Sequence, residues 1–294
     1  MSAPPSAPKH LRTLLGDYPH TAALKTGKIS SEQVVLDFVP YSPTNKGFKP
    51  MVREQAFDVS EMAIVTYLIA RSFDKPMVLL PAVVMGRFQH RYALYDPAQG
   101  QLSASDLAGK RVGIRSFTTT TGAWVRGILA NDYGVDLDSI DWVSFEEPHV
   151  AEYVDLTERA QQDKNIIQML LDGELDAVLG EVSDDPRLRS LFADPKAEEK
   201  AWFARHGVVP VNHFVVVSHE LAASDPDAVR EVFRMLKQSK QAAPANAAPD
   251  PFPFGVENLR KSLEMIIAYA AQQQLIPRAF TVDELFDDLT RSFH

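Results

Sequence analysis

The stretch R-V-G-I-R-S-F-T-T-T-T-G-A-W-V-R-G-I-L-A, residues 111–130, decides the fold class of this chain. Its first four residues, Arg111–Ile114, have the length and apolar character of a short buried strand, whereas a helical pattern begins at Gly122. Four consecutive threonines make a poor helix interior but suit a loop between two elements. A strand that leads through such a loop into a helix is the repeating unit of α/β proteins, and the stretch therefore predicts that class.

The same alternation continues on both sides of this stretch and falls into two sets of similar size. The first set has strands over 11–15, 34–39 and 77–85 and helices over 48–54 and 62–71. The second set has strands over 111–114, 141–145 and 176–180 and helices over 122–132 and 164–171. We therefore predict two α/β lobes.

Two extended stretches, 87–95 and 211–217, connect the two sets. A chain that leaves the first lobe once and returns once places both termini in that lobe. The predicted division is lobe one over 10–88 and 215–294, lobe two over 97–208, and hinge strands over 89–96 and 209–214. We expect the hinge strands to lie side by side, and ligands to bind in a cleft at the carboxyl ends of the strands.

Composition excludes several classes of protein. The net charge of −9 opposes non-specific nucleic-acid binding, and no apolar run reaches the ~18 residues of a membrane span. The chain has no cysteine, which rules out disulfides and thiolate metal sites. The first ten residues lack the apolar core of a secretory signal, so a chain that starts at Met1 is expected to be cytoplasmic. No partner is expected beyond a small ligand and, as an open question, further copies of the chain.

The threonine loop is a candidate anion site. It precedes a helix N-terminus, whose N–H groups and partial positive charge attract anions. Arg115 adds a guanidinium that suits a carboxylate. The segment 87–126 carries six basic and two acidic residues, a local balance of +4 in an acidic protein. The alternative is that the hydroxyls only cap the helix and that Arg115 lies in solvent.

Two histidines are candidates for proton transfer. His90 and His213 each lie in a predicted hinge strand, where alternation places His90 on one face with Phe88 and Tyr92. Partial burial suits either histidine for acid–base work, although each could equally be a hydrogen-bonded structural residue. His20, near a helix start, is expected to be solvated. No metal-binding or phosphate-binding motif occurs, so neither a metal nor a cofactor is predicted.

Five segments of the sequence carry a family resemblance. They are G-R-F-Q-H-R-Y-A-L-Y-D (86–96), L-A-G-K-R-V-G-I (107–114), G-A-W-V-R-G-I-L-A-N-D-Y-G-V (122–135), D-G-E-L-D-A-V-L-G-E (172–181) and V-P-V-N-H-F-V-V-V (209–217). Together they resemble 4,5-dihydroxyphthalate decarboxylase and its relatives. The resemblance runs in order from about Leu11 to the C-terminus. It implies a type 2 periplasmic-binding-protein-like fold, which agrees with the two-lobed prediction.

The resemblance implies a cofactor-independent decarboxylase of a hydroxylated aromatic di- or polycarboxylate, in which a histidine protonates the ring. The predicted catalytic residues are His90, His213 and Glu181. The predicted substrate-binding residues are Asp17, Tyr18, Glu61, Arg87, Arg115, Ser116, Thr118, Thr119, Thr120, Thr121, Arg126 and Asn212.

The sequence departs from the family at the ligand loop and leaves alternatives open. Better-known members tend to carry a Pro-Glu-Tyr-Gln-like stretch where this chain has Arg115-Ser116-Phe117-Thr118. A hydroxylated aromatic di- or polycarboxylate other than 4,5-dihydroxyphthalate therefore fits at least as well as the substrate. A solute-binding protein for an aromatic carboxylate is the alternative function, and a dehydratase or isomerase on the same fold is a third.

Overall fold

The computed structural model describes residues 7–161, 163–245 and 248–294. Residues 1–6, on which the expectation of a cytoplasmic protein partly rests, lie outside this description. The strands are β1 Lys9–Leu14, β2 Val34–Phe38, β3 Val59–Ala63, β4 Met77–Gly86, β5 Ala93–Tyr95, β6 Arg111–Ile114, β7 Asp141–Ser144, β8 Glu158–Arg159, β9 Ala177–Leu179, β10 Arg189–Ser190 and β11 Val211–Ser218. The helices are α1 Ala22–Lys25, α2 Phe48–Glu54, α3 Ile64–Ser72, α4 Thr120–Tyr133, α5 Ile166–Leu171, α6 Pro195–His206, α7 His219–Ser224, α8 Pro226–Ala242 and α9 Val256–Gln272.

The chain divides into two compact units, each built on its own sheet. The first unit takes in the described residues of 1–86, 211–264 and 280–294, and the second those of 87–210 and 265–279. The sequence prediction assigned all of 215–294 to the first lobe, so the structure differs at 265–279. The reason lies in α9, where the Tyr269 ring covers Gly127 of α4 so closely that a Cβ at Gly127 would fall 2.0 Å from it.

The first unit contains a five-stranded sheet in the order β2-β1-β3-β11-β4. Strand β1 pairs in parallel with β2 and β3, whereas β11 is antiparallel to both β3 and β4. One face packs on α8, where Val229 and Val232 bury against Leu80 and Val215. Because β1 and β3 are parallel, the residues that follow Leu14 and those that end β3 meet at one edge of this sheet.

The second unit contains a six-stranded sheet in the order β10-β5-β9-β6-β7-β8. Strands β9, β6, β7 and β8 are mutually parallel, so the loops after β6, β7 and β9 share one edge. The loop after β6 runs from Arg115 to Thr119. Helix α4 begins at Thr120, two residues before the predicted start at Gly122, so Thr120 and Thr121 lie in its first turn. The prediction of an α/β fold in two parts is confirmed, with α2 and β6 at the predicted residues.

The first extended connection differs from its prediction. Residues His90–Tyr92 form a 3₁₀ turn, closed by a hydrogen bond from the Tyr92 N–H to the Gln89 carbonyl at 3.0 Å, and only Ala93–Tyr95 is a strand. The second connection is extended, but from Val211 onward it belongs to the first sheet as β11. Among the helices of the described residues, none has both the length and the apolar character of a bilayer crossing.

Candidate active site

A fully buried carboxylate, Glu61, organises the edge of the first sheet. His213 Nδ1 lies 2.6 Å from Glu61 Oε1, and the Tyr18 hydroxyl donates to the same oxygen at 2.7 Å. The Gly16 N–H donates to Oε2 at 2.8 Å. The partners come from two distant parts of the chain, the loop with Gly16 and Tyr18 and the strand with His213, and they meet because β3 lies between β1 and β11.

The Glu61 carboxyl group is held in its ionised form. Burial alone would raise its pKa, but the hydrogen bond and charge of His213, with the Tyr18 hydroxyl and the Gly16 N–H, lower the pKa below its ordinary value. An ionised carboxylate only accepts hydrogen bonds, so His213 Nδ1 carries the proton of that bond. Its Nε2 makes no hydrogen bond to a described residue, and the side chain keeps 16% exposure. A carboxylate-backed imidazole of this kind can take up or deliver a proton at Nε2.

Gly16 and Thr21 shape the loop that carries Tyr18. The Tyr18 ring folds back over Gly16, where a Cβ would lie 2.6 Å from a ring carbon. The Thr21 hydroxyl accepts the Tyr18 N–H at 3.0 Å and donates to the Gly16 carbonyl at 2.8 Å. Position 16 needs glycine because any side chain there would displace the Tyr18 ring, whose hydroxyl reaches Glu61.

His20 is buried, and its predicted exposure is wrong. Its ring stacks on Tyr18 at 5.3 Å with a 3° interplanar angle, and on Phe252 at 4.1 Å. Its Nε2 lies 3.0 Å from the Val84 carbonyl, a distance suited to an N–H donor. Burial lowers the pKa of His20, which favours the neutral ring. The sequence around His20 did not indicate that the rings of Tyr18 and Phe252 would shield it from solvent.

The second unit places the predicted anion loop at the N-terminus of α4. Ser116 and Thr118 are buried, with their hydroxyl oxygens 3.1 Å apart. Thr119 precedes the helix but its side chain does not cap it, because its hydroxyl donates to the Ser116 carbonyl at 3.0 Å. Gly180, at the end of β9, approaches this helix end so closely that a Cβ there would lie 3.9 Å from the Gly122 nitrogen.

Arg126 lies beneath this helix end as a fully buried cation. Its Nε donates to Gln273 Oε1 at 2.8 Å, its Nη2 to the Phe117 carbonyl at 2.7 Å, and its guanidinium lies 3.8 Å from the Phe117 ring centre. Within the described residues Nη1 has no hydrogen-bond partner, and a Cβ at Gly122 would lie 3.2 Å from it. Burial lowers the pKa of Arg126 to about 9, so the group stays charged at neutral pH.

Arg115 is already paired with carboxylates of its own unit. Its Nε lies 3.4 Å from Glu181 and its Nη1 3.9 Å from Glu146. Burial raises the pKa of Glu181, Arg115 opposes that rise, and Glu146 adds to it. Arg87 donates to the Thr121 hydroxyl at 3.2 Å. The structure thus joins the predicted carboxylate-binding Arg115 and the predicted catalytic Glu181 to each other.

The remaining predicted residues occupy separate environments. His90 belongs to the second unit and lies in an aromatic cage, 5.0 Å from the Phe192 ring and 6.2 Å from that of Trp202. Both of its ring nitrogens lack a partner in the described part of the chain, and burial lowers its pKa to about 4. Asp17 is exposed and pairs with Lys25 at 2.5 Å, while Asn212 is buried in β11. No group of three or more metal-ligating side chains occurs within the described ranges.

Known proteins resemble this chain in two ways, in sequence and in fold, and the similarities in sequence come first. The chain is 25% identical to a 4,5-dihydroxyphthalate decarboxylase of Comamonas testosteroni over 87% of this chain and 84% of the relative. It is 26% identical to a protein of the same name from Pseudomonas putida over 66% of this chain and 81% of the relative. No family model matches the sequence.

The similar solved structures share the fold at low sequence identity. The alkanesulfonate-binding protein SsuA of Xanthomonas axonopodis pv. citri, bound to MOPS, matches with a TM-score of 0.58 at 14% identity, over 96% of this chain and 99% of SsuA. The desulfurization enzyme DszB matches with a TM-score of 0.54 at 12% identity, over 96% of this chain and 97% of DszB. The chain thus has the two-part α/β fold of SsuA-like periplasmic binding proteins, and its sequence is similar to those of two 4,5-dihydroxyphthalate decarboxylases.

Proposed function

We propose that this protein is a cofactor-independent decarboxylase of a hydroxylated aromatic di- or polycarboxylate similar to 4,5-dihydroxyphthalate. The observation that carries the proposal is the hydrogen bond of 2.6 Å between His213 Nδ1 and the buried Glu61, which leaves Nε2 unengaged. The names of the curated relatives support the same reaction. A cytoplasmic location, which an enzyme of this kind would suit, is part of the proposal.

His213 acts as the proton donor in the proposed reaction. A ring hydroxyl para to the reacting carbon loses its proton, and its electron pair pushes towards that carbon. The carbon takes the proton from His213 Nε2, and Glu61 stabilises the imidazolium that donates it. The bond to the carboxylate then breaks, and its electron pair restores the aromatic ring as CO₂ leaves. The hydroxyl proton returns to the ring oxygen, so the net change replaces a carboxylate by hydrogen and consumes one proton, which His213 regains from solvent.

We further propose that Arg126 and the hydroxyls of Ser116 and Thr118–Thr121 bind a substrate carboxylate. A buried cation with an unpartnered N–H beneath a helix N-terminus favours a negative charge there. Arg87 and Asn212 remain proposed contacts. Glu181 and Asp17 remain proposed partners of a ring hydroxyl, and Arg115, neutralised by its carboxylates, orients Glu181. His90 is not the proposed donor, because its pKa of about 4 leaves it unprotonated at neutral pH.

Deuterium incorporation tests the reaction and its proton donor together. The purified protein is incubated in D₂O with 4,5-dihydroxyphthalate, with phthalate, which lacks the hydroxyls, and with 3,4-dihydroxybenzoate, which lacks one carboxylate. We expect CO₂ release from the hydroxylated dicarboxylate alone, with one deuterium at the carbon that lost CO₂. His213→Asn should lower turnover by about 10²–10⁴-fold, the range of a positioned acid.

A solute-binding protein for an aromatic carboxylate is the second candidate, since SsuA shares this fold. It predicts tight binding without CO₂ release from any hydroxylated phthalate. Calorimetric titration measures the binding, and the deuterium assay measures the CO₂ release. Tight binding without CO₂ release would replace the enzyme proposal with the binding-protein proposal.

A further inference from the structure

Three rings of the first unit form a continuous stack. The His20 ring lies between the rings of Tyr18 and Phe252, at centroid distances of 5.3 Å and 4.1 Å. Its plane lies within 3° of the Tyr18 ring plane and is tilted by 30° from that of Phe252. Stacked rings attract each other beyond the effect of the area that they bury. We call Tyr18, His20 and Phe252 the aromatic stack.

Two members of the aromatic stack are tied to the scaffold of the first unit. His20 Nε2 lies 3.0 Å from the Val84 carbonyl of β4, and the Ser239 hydroxyl of α8 donates to the His20 carbonyl at 2.9 Å. Lys240, also in α8, donates to the Phe252 carbonyl. Because α8 packs on the first sheet, His20 and Phe252 are held by the core of the unit.

Tyr18 is the member of the aromatic stack that reaches the candidate active site. Its hydroxyl donates to Glu61 Oε1 at 2.7 Å, and His213 Nδ1 lies 2.6 Å from the same oxygen. Two donors on one carboxylate oxygen share its negative charge, so the position of the Tyr18 hydroxyl affects the bond between Glu61 and His213. That hydroxyl lies at the far end of a side chain with two rotatable bonds, and the stacked His20 ring restricts both rotations.

His20 is not placed to act on a substrate itself. The residue is 5% exposed, and the rings of Tyr18 and Phe252 cover the two faces of its ring. Its Nε2 faces the Val84 carbonyl. An effect of His20 on the carboxylate of Glu61 therefore passes through the Tyr18 ring.

We propose that His20 is a positioning residue, which together with Phe252 holds the Tyr18 ring so that its hydroxyl stays on Glu61 Oε1. The geometry of the Glu61–His213 pair then depends on the ring packed behind Tyr18. The catalytic consequence rests on the proposed function, whereas the positioning is a property of the free protein.

Nuclear magnetic resonance of the free protein tests the positioning without a substrate. The proton between His213 Nδ1 and Glu61 should resonate far downfield, as in short charge-assisted hydrogen bonds, and His213→Asn identifies the signal by removing it. Tyr18→Phe should move the resonance further downfield, because Glu61 Oε1 then has one donor fewer. His20→Gln removes the ring but keeps an N–H donor for the Val84 carbonyl, and it should shift the resonance in the same direction.

Three further variants separate the ring of His20 from its hydrogen bond. His20→Phe keeps a ring and loses the N–H, so its resonance should stay at the wild-type position. Phe252→Leu removes the outer ring of the aromatic stack and should shift the resonance as His20→Gln does, which keeps the test decisive if His20→Gln does not fold. His219→Gln is the matched control, because His219 is an exposed histidine of the same unit. Thermal unfolding shows which variants keep the fold.

Turnover separates positioning from general support of the fold. His20→Gln should lower kcat by about tenfold, the equivalent of one hydrogen bond to a charged group, with little change in KM. His20→Phe should restore most of the rate. In the Tyr18→Phe background His20→Gln should have no further effect on kcat, because the hydroxyl that His20 positions is absent.

Three results would each overturn the proposal. The first is a resonance that stays in place in Tyr18→Phe, in His20→Gln or in Phe252→Leu. The second is an equal shift in His20→Phe and His20→Gln, and the third is a further loss of kcat when His20→Gln is added to Tyr18→Phe. A wild type that releases no CO₂ would instead contradict the proposed function, and the resonances would still decide the positioning.

Discussion

A double-mutant cycle on Glu61 and His213 tests whether the two residues act as one catalytic group. The perturbations are Glu61→Gln, which keeps the size but removes the charge, and His213→Asn, which removes the proton donor. The structure places the two side chains 2.6 Å apart, with Glu61 fully buried, so their interaction is poorly screened.

The magnitudes follow from the hydrogen bond. A charge-assisted bond contributes about 1.5–3 kcal/mol, and burial places this one at the upper end. Since about 1.36 kcal/mol of barrier corresponds to tenfold in rate, Glu61→Gln should lower kcat by about 10². His213→Asn should lower kcat by about 10²–10⁴. If Glu61 acts only through His213, the double variant should be no slower than His213→Asn alone.

The assay measures CO₂ release and ligand affinity for the four proteins with 4,5-dihydroxyphthalate as probe. Thermal unfolding of each variant shows that the fold is kept. Glu257→Gln serves as the control, because Glu257 is an exposed carboxylate paired with Arg260 and should not affect turnover. Independent roles would make the losses multiply, so that the double variant would be about 10²-fold slower than His213→Asn. That outcome, or normal turnover of either single variant, refutes the reasoning.

Three further predictions concern stability, affinity and geometry. His90 has a pKa of about 4 in the folded protein against about 6.5 when unfolded, so the unfolded state binds more protons between these values and stability falls as pH drops through this window. Urea titrations should show a loss of about 2 kcal/mol from pH 7 to 5 that His90→Leu does not share, and an unchanged pH dependence in that variant would contradict the assignment. Arg126→Gln should weaken carboxylate binding by about 10–10²-fold in calorimetric titration, the equivalent of one charge-assisted hydrogen bond, whereas Arg115→Gln should weaken it less, because two carboxylates already neutralise Arg115. Equal effects at both arginines would move the anion site to Arg115. Gly16→Ala should push the Tyr18 ring aside and cost about 1–3 kcal/mol of stability in thermal unfolding. Its kcat should fall as far as that of Tyr18→Phe, and full activity of Gly16→Ala would mean that the Tyr18 hydroxyl has no role.

The local sequence pattern was sufficient to predict those helices and strands whose conformation is decided by neighbouring residues in the sequence. Strand Arg111–Ile114 and helix Phe48–Glu54 occur at the predicted residues, because apolar spacing and flanking turn residues determine them. The strand prediction around His90 was wrong because the conformation there is not decided by neighbours in sequence. Its residues read as an alternating strand, but the hydrogen bond that closes the turn at Tyr92 and the packing on Phe192 depend on the assembled unit.

The candidate site was predicted as a set of residues but not as an arrangement. Glu61, Tyr18 and His213 were all named, yet the hydrogen bond between Glu61 and His213 spans 152 positions of sequence. Position at strand ends predicted which residues meet at an edge, because parallel strands align their carboxyl ends. It could not predict that Arg115 and Glu181 pair with each other. Burial of the Arg126 cation also depends on tertiary packing, in particular on Gln273, which lies 147 positions away in the sequence.

The place of β11 in the first sheet has a consequence for how the protein is made. This strand lies between β3 and β4, although more than a hundred residues separate it from both along the chain. On the ribosome, therefore, the place between β3 and β4 in the first sheet stays unfilled until the greater part of the second unit has been synthesised. Such non-local pairing is slow to form, because a long loop must close before the strand is held. His213 arrives with that strand, so a nascent or truncated chain that ends before Val211 contains Glu61 but not its histidine. The proposed activity would therefore be acquired at the step that completes the sheet, and its recovery during refolding would report the insertion of β11.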